Sequence, residues 1–344
     1  MLIGLCGGIC AGKSSVAEYL VEEYGFRRLR LRNAESLAFN EEKLEARQPL
    51  HATNGSTGQE YAFSDIDSLI NFVTKRWRER WLITDIWNEA VLDSLLRRPF
   101  FFLLSVDAPV SVRWKRYKER CLQRSEIPPT LEDFVIRSDA HLFDPVLGLA
   151  KLIDRAQVRL INPTSSPSDL HLALQNLDLT NEERLRPSWD QYFMELASLA
   201  SQRSNCMKRR VGSVLVRERR VISTGYNGTP RHLKNCNQGG CPRCNDGNNA
   251  GMGLATCLCI HAEENALLEA GRERIREGSV LYCDTCPCLT CSIKIVQVGI
   301  SEVVYSQSYS MDAEAATIFR EAGVHLRQYS PPRKGLVFLA GASH

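Results

Sequence analysis

The chain has 344 residues, 44% of them hydrophobic and 24% charged, with a formal net charge of +3. That length is too great for one ordinary small core, so two domains are expected. The near-neutral balance argues against the broad polyanion-binding surface that duplex DNA needs, and no apolar run is long enough to cross a bilayer.

Met1–Ile9 is apolar but runs straight into a glycine-rich loop, without the basic leader and small-residue cleavage site of a signal peptide. The chain is therefore expected in the cytoplasm or the nucleus. Leu2–Leu5 reads as a short strand and Lys13–Tyr24 as an amphipathic helix. Between them, Gly7-Gly8-Ile9-Cys10-Ala11-Gly12-Lys13-Ser14 fits Gly-x4-Gly-Lys-Ser in the strand-to-helix context that gives the pattern its meaning. Backbone N–H groups from Gly7 to Gly12 would cradle phosphates, Lys13 would reach the terminal ones, and Ser14 would hold Mg²⁺. Asp85, after the apolar run Trp81–Thr84, is the candidate acidic residue for that metal.

Phe100–Val106 is a further apolar run, followed by the charged helical stretch Val112–Gln123. Glu41–Gly58 is polar and reads as an insertion. Asn162–Ser168 reads as a linker or domain edge, with a helix over Ser168–Leu177 closing the first domain at about residue 178. Strands alternating with helices predict a parallel sheet covered on both faces. Residues 1–178 resemble the small nucleoside-monophosphate and dephospho-coenzyme A kinases, an α/β fold of P-loop NTPase type. In that resemblance Arg113, Arg116, Arg120 and Arg137 take the place of a lid. The sequence departs at Asn33, where an acidic residue is expected. An amide cannot accept a substrate proton, so binding of ATP or a regulatory deoxynucleotide is expected here in preference to phosphoryl transfer.

A second domain is expected over 185–330, with 331–344 as a tail after Pro331-Pro332. Its elements read as a helix over Trp189–Ser201, strands at Gly212–Val216 and Arg220–Gly225, then a Cys/Gly/Asn-rich loop from Asn227 to about Thr256. A helix over His261–Ala270, a strand at Val280–Cys283, a helix over Cys288–Val298, a strand at Glu302–Tyr305 and a helix over Ala313–Ala322 follow. Nine of the 13 cysteines lie between Cys236 and Cys291, a local concentration of the kind metal sites produce.

His261-Ala262-Glu263, with Pro287-Cys288-Leu289-Thr290-Cys291 after it, matches the His-x-Glu … Pro-Cys-x-x-Cys signature of zinc deaminases. Cys288 and Cys291 stand three apart at a helix start, so both sulfurs can face one point, and His261 adds a nitrogen. Three protein ligands leave zinc's fourth position for water, as in a catalytic site. Glu263 is then the proton shuttle and not a ligand. A structural zinc site would have no use for that carboxylate. In the loop, Cys236, Cys241, Cys244 and one of Cys257, Cys259 or His232 form a candidate second, structural zinc site, with Cys259 the preferred fourth ligand.

Val211-Gly212-Ser213-Val214, Ser223-Thr224-Gly225-Tyr226-Asn227-Gly228-Thr229-Pro230, His261 to Ala266 and Pro287 to Cys291 together resemble the deoxycytidylate deaminases of the cytidine deaminase-like superfamily. With the amino-terminal domain, the chain is similar to the two-domain, fungal-type members. The resemblance implies an α/β/α fold around a mixed sheet of about five strands, and zinc-dependent hydrolysis of dCMP to dUMP and ammonia, feeding thymidylate synthesis. It also implies a second, non-catalytic zinc, a hexameric assembly, and dCTP and dTTP as effectors. By the same resemblance Asn227 meets the sugar or base, Arg209 or Lys208 the phosphate, and Tyr309 lines the nucleotide pocket. Two alternatives stand beside it: a bifunctional nucleotide kinase and deaminase, and a deaminase of cytosine or adenine in nucleic acid. The low net charge and the lack of aromatic platforms along a basic stripe disfavour the latter.

Overall fold

A computed structural model describes residues 1–32, 60–164, 166–247, 252–253, 256–308, 312–332 and 334–338. The expected insertion at 41–58, Asn33 and Tyr309 lie outside them. The chain forms two compact units, residues 1–186 with 332–344, and residues 187–331. The second unit is thus inserted in the sequence of the first.

The first unit runs β1 (Leu2–Gly7), α1 (Lys13–Tyr24), β2 (Arg27–Leu31), β3 (Tyr61–Phe63), α2 (Ile66–Thr74), β4 (Trp81–Ile83), α3 (Glu89–Leu96), β5 (Phe101–Asp107), α4 (Val110–Gln123), α5 (Leu131–Phe143), α6 (Ala150–Asp154), β6 (Val158–Ile161) and α7 (Pro167–Leu177). A final strand, β12 (Gly335–Phe338), completes it. The strands form a seven-stranded sheet in the order β12-β6-β5-β1-β4-β2-β3, and each pairing is parallel. All six residues of β1 are buried, as a central parallel strand covered on both faces requires. β2 shows the opposite pattern. In Arg-Arg-Leu-Arg-Leu the leucines Leu29 and Leu31 are buried, while Arg27 and Arg30 reach outward to Glu79 (2.7 Å) and Asp85 (3.4 Å). Side chains alternate along a strand, so Arg28 and Arg30 share one face and Arg27 lies on the other with Leu29 and Leu31.

Two expectations are corrected. The tail from residue 331 instead carries β12, which pairs with β6 far upstream (Gly335 opposite Val158) and buries Val337 between exposed Leu336 and Phe338. Four residues after a proline pair are too few to show strand periodicity without their partner. Asn162–Ser168 is not a linker either. Asn162 is buried, its N–H donates to the Asp107 carbonyl at 2.7 Å, and it continues β6, whose four residues are likewise too short to read alone.

The second unit runs α8 (Trp189–Ser201), β7 (Gly212–Arg217), β8 (Arg220–Tyr226), the short α9 (Pro242–Asn245), α10 (Ala262–Ala270), β9 (Val280–Thr285), α11 (Leu289–Val298), β10 (Glu302–Gln307), α12 (Asp312–Glu321) and β11 (His325–Gln328). Its five strands are ordered β11-β10-β9-β7-β8, with β7 antiparallel to both neighbours and β9, β10 and β11 parallel. Strand β11 carries no apolar alternation (His-Leu-Arg-Gln) and escapes a reading of the residues, although a family sheet of about five strands implies it. Side chains alternate across the sheet. Val214, Val216, Tyr282 and Val304 meet Phe193, Met194 and Ala197 of α8. Leu215, Leu281, Cys283 and Val303 meet α10, α11 and α12 on the other face through Ala266, Ile295 and Phe319.

Two contacts seat α10 on the β7–β8 hairpin. The Ser213 hydroxyl donates to the Ala262 carbonyl (2.7 Å) and the Ser223 hydroxyl to the Ala266 carbonyl (2.8 Å). Gly225 lets the helix come that close, since a Cβ there would lie 2.0 Å from the Ala262 oxygen. The start of α10 is thereby fixed on a rigid sheet.

Candidate active site

His261 is the N-cap of α10, and Glu263 stands in its first turn. Cys288 is the N-cap of α11 and Cys291 the third helical residue. Both helices therefore begin at the same place and direct unpaired backbone N–H groups toward it, which favours anionic sulfur. His261 Nδ1 lies 3.3 Å from Cys288 Sγ and 3.3 Å from Cys291 Sγ. A tetrahedral zinc ion with ordinary bond lengths separates such atoms by roughly 3.6–3.8 Å. One imidazole nitrogen and two sulfurs, all within 4.8 Å of one another, fit that ion. The Lys294 ammonium, 2.7 Å from Glu264 Oε1, ties α11 to α10.

The electrostatics agree. A hydrogen bond from Cys291, with others from His261 and Thr290, holds the Cys288 thiol down to about 3. The bond to Cys288 raises His261, the expected response of an imidazole to an adjacent anion. Glu263 is 4% exposed, and burial pushes its carboxyl up to about 7. A carboxyl poised near neutrality beside a three-donor metal site is a proton carrier.

The loop after β8 reaches the same region. Asn265 of α10 donates to the Tyr226 carbonyl (2.9 Å), and Gly228 pairs with Ile260 as a β-bridge just ahead of His261. Asn227 is buried, and its amide bonds to backbone: Oδ1 accepts from Val211 N and Nδ2 donates to Arg209 O, each at 2.8 Å. It thus positions the segment that presents Arg209. The Arg209 guanidinium donates to Gln307 (3.2 Å) and acts electrostatically on Asp284, whose carboxylate in turn acts on Glu263. Asp284 also accepts from Gly212 N (3.1 Å). It is a site neighbour that no motif in the sequence marks. Its only signal is its place in β9, four residues before Cys288.

The loop cysteines are arranged differently from the expected set. Cys236 and Cys241 fall in separate four-thiol groups, Cys206/Cys236/Cys244/Cys259 and Cys241/Cys244/Cys257/Cys259. Cys206 has no near neighbour cysteine in sequence, so spacing cannot reveal it. His232 belongs to neither group.

In the first unit, Gly7 ends β1, Gly12 caps α1 and Lys13 is the first residue of that helix. Gly7 and Gly12 have φ of 146° and 107°, and a Cβ on Gly7 would meet the Val106 oxygen at 1.9 Å. The Lys13 ammonium donates to the carbonyls of Gly7 (2.9 Å) and Gly8 (3.1 Å). Lys13 and Ser14 line a cleft of about 250 Å³ together with Arg116, Arg120, Asn162 and Thr164. The arginines expected as a lid differ in their surroundings. Arg113 is 6% exposed and bonded to the Ala108 carbonyl and Ser138, a core position, while Arg116 and Arg120 face the cleft. The Asp85 carboxylate accepts from Leu31 N (3.0 Å) and fastens β2 to the end of β4.

Three donors that leave a coordination position open, with a buried carboxyl beside them on an α/β/α scaffold, define a zinc-dependent deaminase. Residues 187–307 match the family model described as "Cytidine and deoxycytidylate deaminase zinc-binding region". The chain is 50% identical over 340 residues to the deoxycytidylate deaminase of Schizosaccharomyces pombe, covering 97% of this chain and 99% of that protein. It is 50% identical over 275 residues to the deoxycytidylate deaminase of Saccharomyces cerevisiae, covering 77% and 86%. A dCMP deaminase from the cyanophage S-TIM5, solved with dCMP and dUMP, is 30% identical and covers 42% of this chain and 98% of its own length, with a TM-score of 0.35. The chain belongs to the deoxycytidylate deaminase family.

Proposed function

We propose that this chain hydrolyses dCMP to dUMP and ammonia. The observation that carries the reading is Glu263, buried beside the nitrogen and two sulfurs of His261, Cys288 and Cys291. Zinc, held by those three residues, supplies the Lewis acidity that makes water a nucleophile near neutral pH. Glu263 accepts the proton that water gives up as its oxygen bonds to C4 of the cytosine ring. It then delivers that proton to ring N3, takes the proton of the new C4 hydroxyl and passes it to the C4 amine, which leaves as ammonia while C4 becomes a carbonyl. A carboxyl near 7 can both take and return a proton at neutral pH. Arg209, presented by Asn227, is the residue to meet the 5′-phosphate.

Ammonia release from dCMP, CMP, deoxycytidine and cytidine tests this. Turnover confined to dCMP is expected. Equal turnover of deoxycytidine would remove the phosphate contact, and turnover of none of the four would overturn the reading.

The first unit supports a second reading, that its loop binds nucleotide phosphates. Left-handed glycines on a strand-to-helix loop, Lys13 at its end and Arg116 and Arg120 across the cleft form a P-loop-like cradle. Asn162 Oδ1 is buried at that cleft with no partner among the described residues, as a group reserved for a ligand would be. Ser14 is the residue to hold an accompanying Mg²⁺. The ligand is a nucleoside triphosphate, either ATP or a regulatory deoxynucleotide such as dCTP or dTTP. Calorimetric titration of ATP, dCTP and dTTP into wild type and Lys13→Ala separates these: binding of one of them, lost in the variant, is expected. No binding by wild type would overturn the reading.

A further inference from the structure

The two four-thiol groups in the loop of the second unit share Cys244 and Cys259. Together they contain six cysteines: Cys206, Cys236 and the shared pair on one side, Cys241, Cys257 and the same pair on the other. We propose that this cluster holds two zinc ions bridged by the thiolates of Cys244 and Cys259, with Cys206 and Cys236 completing one tetrahedron and Cys241 and Cys257 the other.

The distances favour metal over other fates for the sulfurs. Cys206 Sγ lies 3.9 Å from Cys244 Sγ, and Cys241 Sγ lies 3.9 Å from Cys257 Sγ. A disulfide requires about 2.05 Å, whereas two sulfurs on one tetrahedral zinc stand about 3.8 Å apart. Each group contributes one pair at that edge length, and the four sulfurs of each lie within 4.8 Å of one another. A single ion in either group would leave two cysteines of the other as bystanders. Cys236 and Cys241 are both 0% exposed, and each already receives an N–H bond: Met207 N to Cys236 Sγ and Leu258 N to Cys241 Sγ, both at 3.4 Å. Such bonds are what ligating sulfur receives from its surroundings.

Local structure supports the assignment. Cys241 is the N-cap of α9 and Cys244 its third helical residue, so both sulfurs project to the same side. Asn245 Nδ2 pins the turn by donating to the carbonyls of Cys236 (3.0 Å) and Cys241 (2.8 Å). Among the described residues, the cysteines form a small core of their own, with no buried aliphatic side chain in it. Buried thiols packed only on one another in this way gain stability from metal binding. The charge balance is simple. Six thiols lose six protons to solvent, two Zn²⁺ bind, and the net charge of −2 is faced by the Arg243 guanidinium, 3.8 Å from Cys257 Sγ. No redox step is involved.

The position also matters. Cys206 stands three residues before Arg209, and Cys259 two residues before His261. One cluster therefore ties down the approaches to both, and it does so whether or not the chain acts on dCMP.

The test is metal counting on the full-length, zinc-loaded protein, followed by exchange with cadmium-113 and NMR. Three zinc ions per chain are expected, falling to two in His261→Ala. After exchange, two cadmium signals should show mutual cadmium–cadmium coupling through the shared sulfurs, and the third none. Two zinc ions per chain in wild type would overturn the proposal, and so would three ions whose cadmium signals show no coupling. These readouts do not depend on catalysis, so their failure is distinct from failure of the dCMP assay.

Discussion

The second unit uses the same four-residue device twice. In Cys241-Pro242-Arg243-Cys244 and in Cys288-Leu289-Thr290-Cys291, the first cysteine caps a helix and the second is its third residue. What completes each pair differs. Cys288 and Cys291 gain one imidazole and stop, and a buried carboxyl stands beside them. Cys241 and Cys244 gain further sulfurs, a backbone N–H donor and, among the described residues, no carboxyl in their groups. A shell left one donor short beside a proton carrier is built for chemistry, while a shell filled with sulfur is built to hold a loop. The lesson is that Cys-x-x-Cys fixes local geometry alone, and its surroundings assign the role.

The largest expected effect falls on the carboxyl. Glu263→Gln keeps the size and burial of the side chain but cannot carry a proton, so turnover should fall by about 10²–10⁴-fold with zinc content unchanged. Parallel activity and metal assays check this, and near wild-type activity would erase the distinction between the two sites. Next comes Cys236→Ser, which removes a sulfur from the loop group. Unfolding in denaturant should show a loss of about 3 kcal/mol or more, far more than Glu263→Gln causes. Equal stabilities would mean that the loop group holds nothing.

A third test isolates the framework from both metal groups. Asp190 of α8 accepts two bonds from Arg327 of β11 (2.7 and 3.1 Å) and one from the Tyr282 hydroxyl (2.8 Å). The Arg327 bonds, with help from Tyr282, hold its carboxyl below the usual carboxylate range. A depressed folded pKa contributes stability above the unfolded value of about 3.9, and that contribution disappears as pH falls through the lower, folded value. Asp190→Asn should cost about 1–2 kcal/mol at neutral pH. The deficit should shrink below about pH 4, in a pH series of unfolding curves made with zinc present. The smallest effect is expected at the exposed Lys294–Glu264 pair. Lys294→Ala should cost about 0.5 kcal/mol and leave the metal count unchanged. A larger loss, or loss of zinc, would show that the pair does more than brace two helices already fixed by the sheet.

Much of this was legible in the residues. The catalytic set is legible because its members sit in two short motifs whose spacing is a property of a helix start, wherever that helix lies. The loop group was only half legible. Cys236, Cys241, Cys244 and Cys259 stand close in sequence, but the division between two ions depends on Cys206, brought in from before β7. Asn227 was expected at the ligand, and what only the structure shows is that its amide also bonds to the backbone of Val211 and Arg209.

The sequence by itself determined the helix starts, the central apolar strands and the order of chemical groups along the chain, because these follow from periodicity and local spacing. Tertiary structure alone decided that residues 335–338 return to the first unit's sheet, that Arg113 is core while Arg116 and Arg120 face the cleft, and that six sulfurs form two groups sharing a pair. Those outcomes depend on which distant segments meet, and burial and coordination are properties of the meeting rather than of either segment.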